Sequence, residues 1–211
     1  MMKYIFMRFV YLIVGWLIVG IIYSGTAHLQ GEPTLLSPSI IDEWIAFTPH
    51  AIWFYLSFFL IIPWCFFIAP YKRVAWMCVC FIVSGCLAGL FYLIFPTTVI
   101  CPVDTTATFI SSWLLEKLIS VDVPVNCFPS LHVTLTFIVI WGCLEATHPI
   151  RSLLLILWGI AIVFSVIQLR RHLFIDFIGG VILALFVGWF VRYCFCRLVI
   201  KKQNIRNCYY D

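Results

Sequence analysis

Two histidines and a carboxylate offer most of the chemistry in this sequence. His132 sits in Cys127-Phe128-Pro129-Ser130-Leu131-His132, and forty residues later comes His172-Leu173-Phe174-Ile175-Asp176. Each cluster lies at the edge of an apolar run long enough to cross a bilayer. Ionisable groups are costly there and by default mark function. On a helix, His172 and Asp176 are four apart and share one face within hydrogen-bond reach. A carboxylate so placed fixes the imidazole tautomer and stabilises the charged ring. An imidazole held this way can attack phosphorus. A purely structural His–Asp pair at a helix end would use the same spacing.

The first cluster supplies the complement. Pro129-Ser130 starts a helix, with Ser130 as cap or early-turn residue and unbonded backbone amides forming an anion site. His132 lies in that first turn, placed to protonate a leaving oxygen. Ser130 acting only as a cap, with His132 merely at an interface, is the simpler alternative. Taken together, on one expected face and at matching depth, the clusters favour a site that handles phosphate.

The elements that must position these residues are transmembrane helices. The 211 residues are 64% hydrophobic and only 10% charged, with a mean hydropathy of +1.10. A soluble domain carries about 25% charged residues, so the chain is integral to a membrane. Its length accommodates six spans with short loops and no soluble domain. We place them at roughly 3–24, 48–70, 73–95, 130–147, 151–169 and 173–196. Ser24-Gly25-Thr26-Ala27 resembles a leader cleavage site. Arg8 nevertheless interrupts the first apolar region, which reads as a retained span. The absence of an internal repeat, low-complexity tract or linker makes residues 1–211 a single domain.

The net charge of +4 has a topological explanation, and nucleic acid is not an expected partner. With six spans, Lys3, Arg8, Lys72, Arg73, Arg151, Arg192, Arg197, Lys201, Lys202 and Arg206 share one side. Only Lys117, Arg170 and Arg171 fall on the other. The positive-inside rule then puts both termini in the cytoplasm and both clusters on the periplasmic or lumenal face. The basic tail from Arg197 reads as an inside anchor near anionic lipid. Compact loops and the lack of an Asn-x-Ser/Thr acceptor favour a bacterial inner membrane.

The segment 25–47 is rich in breakers and ends in an interfacial turn at Ile40-Ile41-Asp42-Glu43-Trp44-Ile45. Ala69-Pro70-Tyr71-Lys72-Arg73 and Thr147-His148-Pro149-Ile150-Arg151 are tight connections, each with a proline at a helix boundary. In the long loop 96–128, residues 107–118 place Phe109, Ile110, Trp113, Leu114 and Leu118 on one helical stripe. That suits a short interfacial helix, acting either as a packing element or as a lid for a lipid substrate. Most of the ten cysteines fall inside spans, where a thiol behaves as a small hydrophobe. No C-x-x-C pair suggests zinc. Cys101 and Cys127 share the outward loop, and a disulfide between them is allowed in an oxidising compartment.

Phe128-Pro129-Ser130-Leu131-His132 with Ser165-x6-His172-x3-Asp176 resembles the type 2 phosphatidic acid phosphatase (PAP2) superfamily. The family motifs run Lys-x6-Arg-Pro, Pro-Ser-Gly-His and Ser-Arg-x5-His-x3-Asp. The Pro-Ser-Leu-His form, with Asp122-Val123-Pro124-Val125-Asn126-Cys127 and Phe95-Pro96-Thr97, looks like the inositol-phosphorylceramide-synthase-like branch. The resemblance covers roughly residues 40–195. It implies an all-α six-helix membrane bundle with its site at the outer leaflet boundary. It also implies His172 as nucleophile, Asp176 as its activator, His132 as general acid and Ser130 as a phosphate contact.

The departures concern charge. Cys101-Pro102 stands where the family has Arg-Pro, Ile94 where it has Lys, and Val166 where it has the third-motif Arg. Transition-state charge on phosphoryl oxygens normally meets such cations. Arg170 and Arg171 are the nearest substitutes, although an Arg pair at an interface could equally meet lipid headgroups. Lys117 is a more distant candidate.

The reading that follows is a membrane enzyme hydrolysing a lipid phosphate or diphosphate through a phosphohistidine, without metal or cofactor. One rival is a phosphotransferase moving a phospho-headgroup between lipids. Another is a non-catalytic membrane protein. No second set of buried charges or broken helices suggests a transport path.

Overall fold

In the computed structural model, residues 2–102, 109–122 and 125–208 are described. Residues 107 and 108 of the expected loop helix, Val123 and Pro124, and the side chains of the basic tail beyond Arg197 lie outside that set. The described chain is mostly helical, with eight α-helices. They are α1 (Met2–Leu29), α2 (Ile40–Trp44), α3 (Ile52–Ile68), α4 (Tyr71–Ile94), α5 (Phe109–Val121), α6 (Leu131–Cys143), α7 (Pro149–Gln168) and α8 (Phe174–Cys208). A short 3-10 turn, Pro49–Ala51, leads into α3.

Five of these are long and apolar enough to cross a membrane: Met2–Leu29, Pro49–Ile68, Tyr71–Ile94, Pro149–Gln168 and Phe174–Arg197. The protein is therefore a multi-pass membrane protein. The expected span 130–147 is shorter in the structure. Its helix, α6, has 13 residues, about 20 Å at 1.5 Å per residue, short of a hydrocarbon core of about 30 Å. The helix stops at Leu144, which is extended, and the chain then turns into Pro149 at the start of α7.

Central α6 is nonetheless the hub, packing on α3, α4, α7 and α8. Its last carbonyls are gripped by two arginines. Arg73 Nη1 donates to the Leu144 carbonyl at 2.6 Å, and Arg151 Nη2 donates to that of Cys143 at 3.3 Å. Positive charge suits a helix C-terminus, where carbonyls lack intrahelical partners. The first helix belongs to the bundle: α1 lies along α4, and Arg8 Nη1 donates to the Phe66 carbonyl of α3 at 2.8 Å.

The connections at the opposite end of α6 are woven together. Thr34–Leu35 (β1) and Thr97–Thr98 (β2) form a two-stranded parallel ladder, and Thr98 bridges Val125. Neither strand was expected, because two residues carry no detectable periodicity. In α5, Leu114, Leu115, Leu118 and Ile119 pack on Ala51, Ile52 and Tyr55. Ile110 and Trp113 point outward, so the expected stripe is divided: the packed face is rotated toward Leu115, and Ser111 is buried with it.

Candidate functional site

At the woven end the polar groups converge. Ser130 is fully buried and caps α6, its hydroxyl accepting from the Val133 amide at 3.5 Å. Its own amide donates to the Asp176 carbonyl at 3.2 Å, tying the start of α6 to the start of α8. Thr134 adds a second tie, donating from its hydroxyl to the Gly180 carbonyl at 3.0 Å. This close approach requires glycine: a Cβ at Gly180 would come within 2.7 Å of the Ser130 carbonyl oxygen. The Gly179-Gly180 pair thus lets α8 meet α6 where the two motifs must join.

His172 does not lie on the helix. It belongs to the turn that joins α7 to α8, and α8 begins only at Phe174. Asp176 in the first turn accepts from the Leu173 amide at 2.8 Å through Oδ2, an N-terminal capping bond. The same oxygen stands 3.5 Å from His172 Nδ1. The pairing expected from a four-residue helical spacing is present, but the turn produces it. The contact has an ion-pair separation without hydrogen-bond geometry: His172 Nδ1 and Asp176 Oδ1 are buried without hydrogen-bond partners. Nδ1 faces the carboxylate, so Nε2 is the nitrogen left for a substrate.

His132 is half-buried in the first turn of α6. Its ring centre lies 5.8 Å from that of His172, 4.9 Å from Tyr55 and 4.7 Å from Phe58. Residues forty apart in sequence therefore face one another, and one phosphoryl group could contact both rings.

The two adjacent arginines have different surroundings. Arg170 adopts a positive φ of 54° and donates through Nη2 to the Ile45 carbonyl at 2.9 Å. Arg171 is buried at 4% exposure and pairs with Asp122 at 2.7 Å. It also reaches the Asp122 carbonyl and, at 3.3 Å, the Cys101 sulfur. Burial alone would lower the Arg171 guanidinium, yet the Asp122 carboxylate outweighs it and holds the group above its ordinary value. Asp122 also accepts from the hydroxyls of Tyr23 at 3.1 Å and Tyr55 at 3.5 Å. A chain of contacts thus runs from Arg171 through Asp122 and Tyr55 to His132. Lys117, by contrast, is exposed on α5.

Asp42 and Asp122 are the site-end residues that sequence reasoning missed in this role. Asp42, buried within α2, accepts from the Phe174 amide at 2.7 Å through Oδ1. Its other oxygen accepts from the Ser39 amide and hydroxyl. It therefore caps its own helix and the start of α8 together. The Ser39-x-x-Asp42 spacing was a readable capping signal; its second client, 132 residues away, was not. Asn126 is similarly placed, with a φ of 60° and an amide donating to the Tyr23 carbonyl of α1 at 2.8 Å.

The disulfide that the sequence allows between Cys101 and Cys127 is not formed in this structure. Both pack in one small cluster with Val99 and Leu173, and Cys101 faces Arg171 and the Arg170 carbonyl instead. Burial, followed by the Asp176 carboxylate, pushes the Cys127 thiol up. Cys127, His172 and Asp176 bring one sulfur, one nitrogen and one oxygen within 4.8 Å of one another, a donor set that could hold a metal ion.

No curated protein and no solved structure matches this chain. A family model described as the PAP2 superfamily matches residues 34–190, a stretch that opens at β1 and closes in α8 around the convergent histidines. Matched across most of its length, the chain belongs to the PAP2 superfamily.

Proposed function

We propose that the protein hydrolyses a lipid phosphate or diphosphate through a phosphohistidine, at the outer face of the membrane and without metal. The observation that carries this reading is the approach of His132 to His172 with Asp176 behind the latter. Membership of the superfamily supports phosphatase-type chemistry on lipid phosphates in general. The Pro-Ser-Leu-His form of the second motif supports a place beside inositol-phosphorylceramide-synthase-like proteins.

His172 Nε2 attacks phosphorus, an N–P bond forms, and the P–O bond to the lipid breaks. His132 gives its proton to the departing lipid oxygen, and Asp176 stabilises the ring that has become cationic. Water, deprotonated by His132, then attacks phosphorus; the N–P bond breaks and inorganic phosphate leaves. Arg171 supplies the positive charge that the missing family cations would otherwise bring, with Asp122 holding it in place. Arg170, turned toward Ile45, shapes the turn, and Ser130 holds the start of α6 beside the phosphate. With the shorter α6 counted as a sixth crossing, the distribution of basic residues supports an outward-facing site with both termini inside.

The test is phosphate release from a panel of lipid phosphates by purified protein, with His172→Ala alongside. Radiolabelled phosphate should be trapped on the wild type, stable to alkali and labile to acid, and absent from the variant. Equal activity in both proteins would remove His172 as the nucleophile, and inactivation by chelators would contradict the metal-free mechanism.

A further inference from the structure

The site leaves the lipid portion of its substrate unaccounted for. Below the histidines, α7 and α8 diverge, each packing on α6 more than on the other. Between them lies an open cavity of about 600 Å³. Its floor is made of small residues, Thr136, Gly159 and Ala184, all buried. Its walls include the outward-facing Ile160 and Leu185. Gly159 keeps the floor deep, because α7 already touches α6 there: an added Cβ would lie 2.1 Å from Ile140 Cδ1.

We infer that this groove holds one hydrocarbon chain of the substrate while its phosphate sits at the histidines, and so sets the tail length that the enzyme prefers. The inference rests on the lipid-phosphate reading and specifies its substrate class. Three observations connect groove and site. On α6, His132, Thr136 and Ile140 recur every four residues along one face, with Leu144 at its C-cap; the first is the proposed acid and the other three line the groove. On α8, the groove-lining Phe177 directly follows Asp176, and Phe174 lies two residues beyond His172. The polar groups gather at one end of this groove, and its lining is almost entirely apolar. A molecule spanning both environments must be charged at one end and greasy at the other.

The dimensions fix the tail. From Phe174 to Leu185 the helix rises ~16 Å, the reach of roughly a dozen extended methylenes. A second chain, where present, would remain in the bilayer. Hydrocarbon is as well solvated by lipid as by this groove, so the gain is alignment of the phosphorus with His172 more than raw affinity.

The experiment measures kcat/KM for a series of linear alkyl phosphates from hexyl to hexadecyl, using the full chain in nanodiscs. Values for the wild type should climb with length and level off near dodecyl. Ile160→Trp and Leu185→Trp fill the groove from its outward wall; each should lower the ratio of dodecyl to hexyl turnover ~10-fold. Leu17→Trp, on the exposed surface of α1, should keep the wild-type ratio. An unchanged ratio in both groove variants would overturn the inference while leaving the hydrolase reading intact. A dodecyl phosphate with a diazirine at its tail end provides a readout independent of turnover. It should label peptides of α6–α8 and be competed by dodecyl phosphate but not by phosphatidylcholine. Competition by phosphatidylcholine would mean that bulk lipid fills the groove. A protein inert toward every phosphate, yet labelled as expected, would instead indict the hydrolytic reading.

Discussion

The two ends of α6 both carry a buried or half-buried arginine beside a carboxylate, yet they differ in what remains unsatisfied. At the C-terminal end, Arg151 pairs with Glu145, and together with Arg73 it donates to the carbonyls that finish the helix. At the N-terminal end, Arg171 pairs with Asp122, while His172 Nδ1, Asp176 Oδ1, Arg171 Nε and Arg170 Nη1 are buried without hydrogen-bond partners. Among the described residues, the C-terminal cluster has only Arg151 Nε in that condition. Unmet hydrogen-bonding capacity in a dry place is costly. The C-terminal cluster lowers that cost by closing on itself; the N-terminal end bears it, the contrast expected between a structural cap and the proposed phosphate site.

Substitutions at the two ends should separate these roles, and the largest effect belongs at the partner of the proposed nucleophile. Asp176→Asn keeps the size and the capping oxygen but removes the charge behind His172. Turnover should fall ~10²–10⁴-fold, as when an orienting carboxylate is lost from a catalytic histidine. Phosphate release per folded molecule measures it, and retention of even half the activity would reduce the site end to another cap.

Asp122→Asn comes next. Arg171 would keep its charge in a buried place with its main counter-charge gone, and breaking such a pair costs about 3 kcal/mol or more. We expect a lower thermal midpoint in detergent together with a turnover loss of ~10–10²-fold. A stability loss without any change in turnover would place Arg171 among the purely structural arginines.

Asp42→Asn tests action at a distance from the chemistry. The neutral side chain can still accept from the Phe174 amide, but the charge-assisted cap is weakened by about 1 kcal/mol. Because that amide starts α8, His172 should be less firmly placed, with turnover falling several-fold and KM nearly constant. Restoration by Asp42→Glu, even in part, would mark a charge-dependent positioning role.

The smallest functional effect should be at the far end. Arg73→Gln removes a donor from the Leu144 carbonyl and should cost about 1–2 kcal/mol of stability. Turnover per folded molecule should match the wild type. If it falls with the midpoint, the two ends of α6 are coupled and the contrast between them fails.

Much of the fold was legible because hydrophobic runs and prolines act locally. The long spans, the tight turns at Pro70 and Pro149, and the start of α6 at Ser130 followed from residues within a few positions of each other. The length of α6 was not, since Leu144, Glu145 and Ala146 continue the apolar and helix-forming pattern. Its end is decided by Arg73 and Arg151 arriving from other elements. Likewise, the inward face of α5 turned toward Leu115 because Ala51, Ile52 and Tyr55 offered a surface there; helical periodicity alone could not select that partner.

For the site, the sequence by itself determined the chemical inventory: two histidines and an aspartate at the edges of apolar helices, and the absence of the family cations at their usual positions. It also fixed the spacing that keeps His172 beside Asp176, although a turn and not a helix face makes the contact. Tertiary structure alone decided how the two neighbouring arginines part. Arg170 and Arg171 are indistinguishable by neighbourhood in the chain; a positive φ at Arg170 sends one toward Ile45 and the other toward Asp122. It decided as well that Asp42 would cap α8 and that α7 and α8 would part over α6. Those outcomes depend on groups tens of residues apart competing for the same buried hydrogen bonds and packing surface, and a local pattern holds no record of that competition.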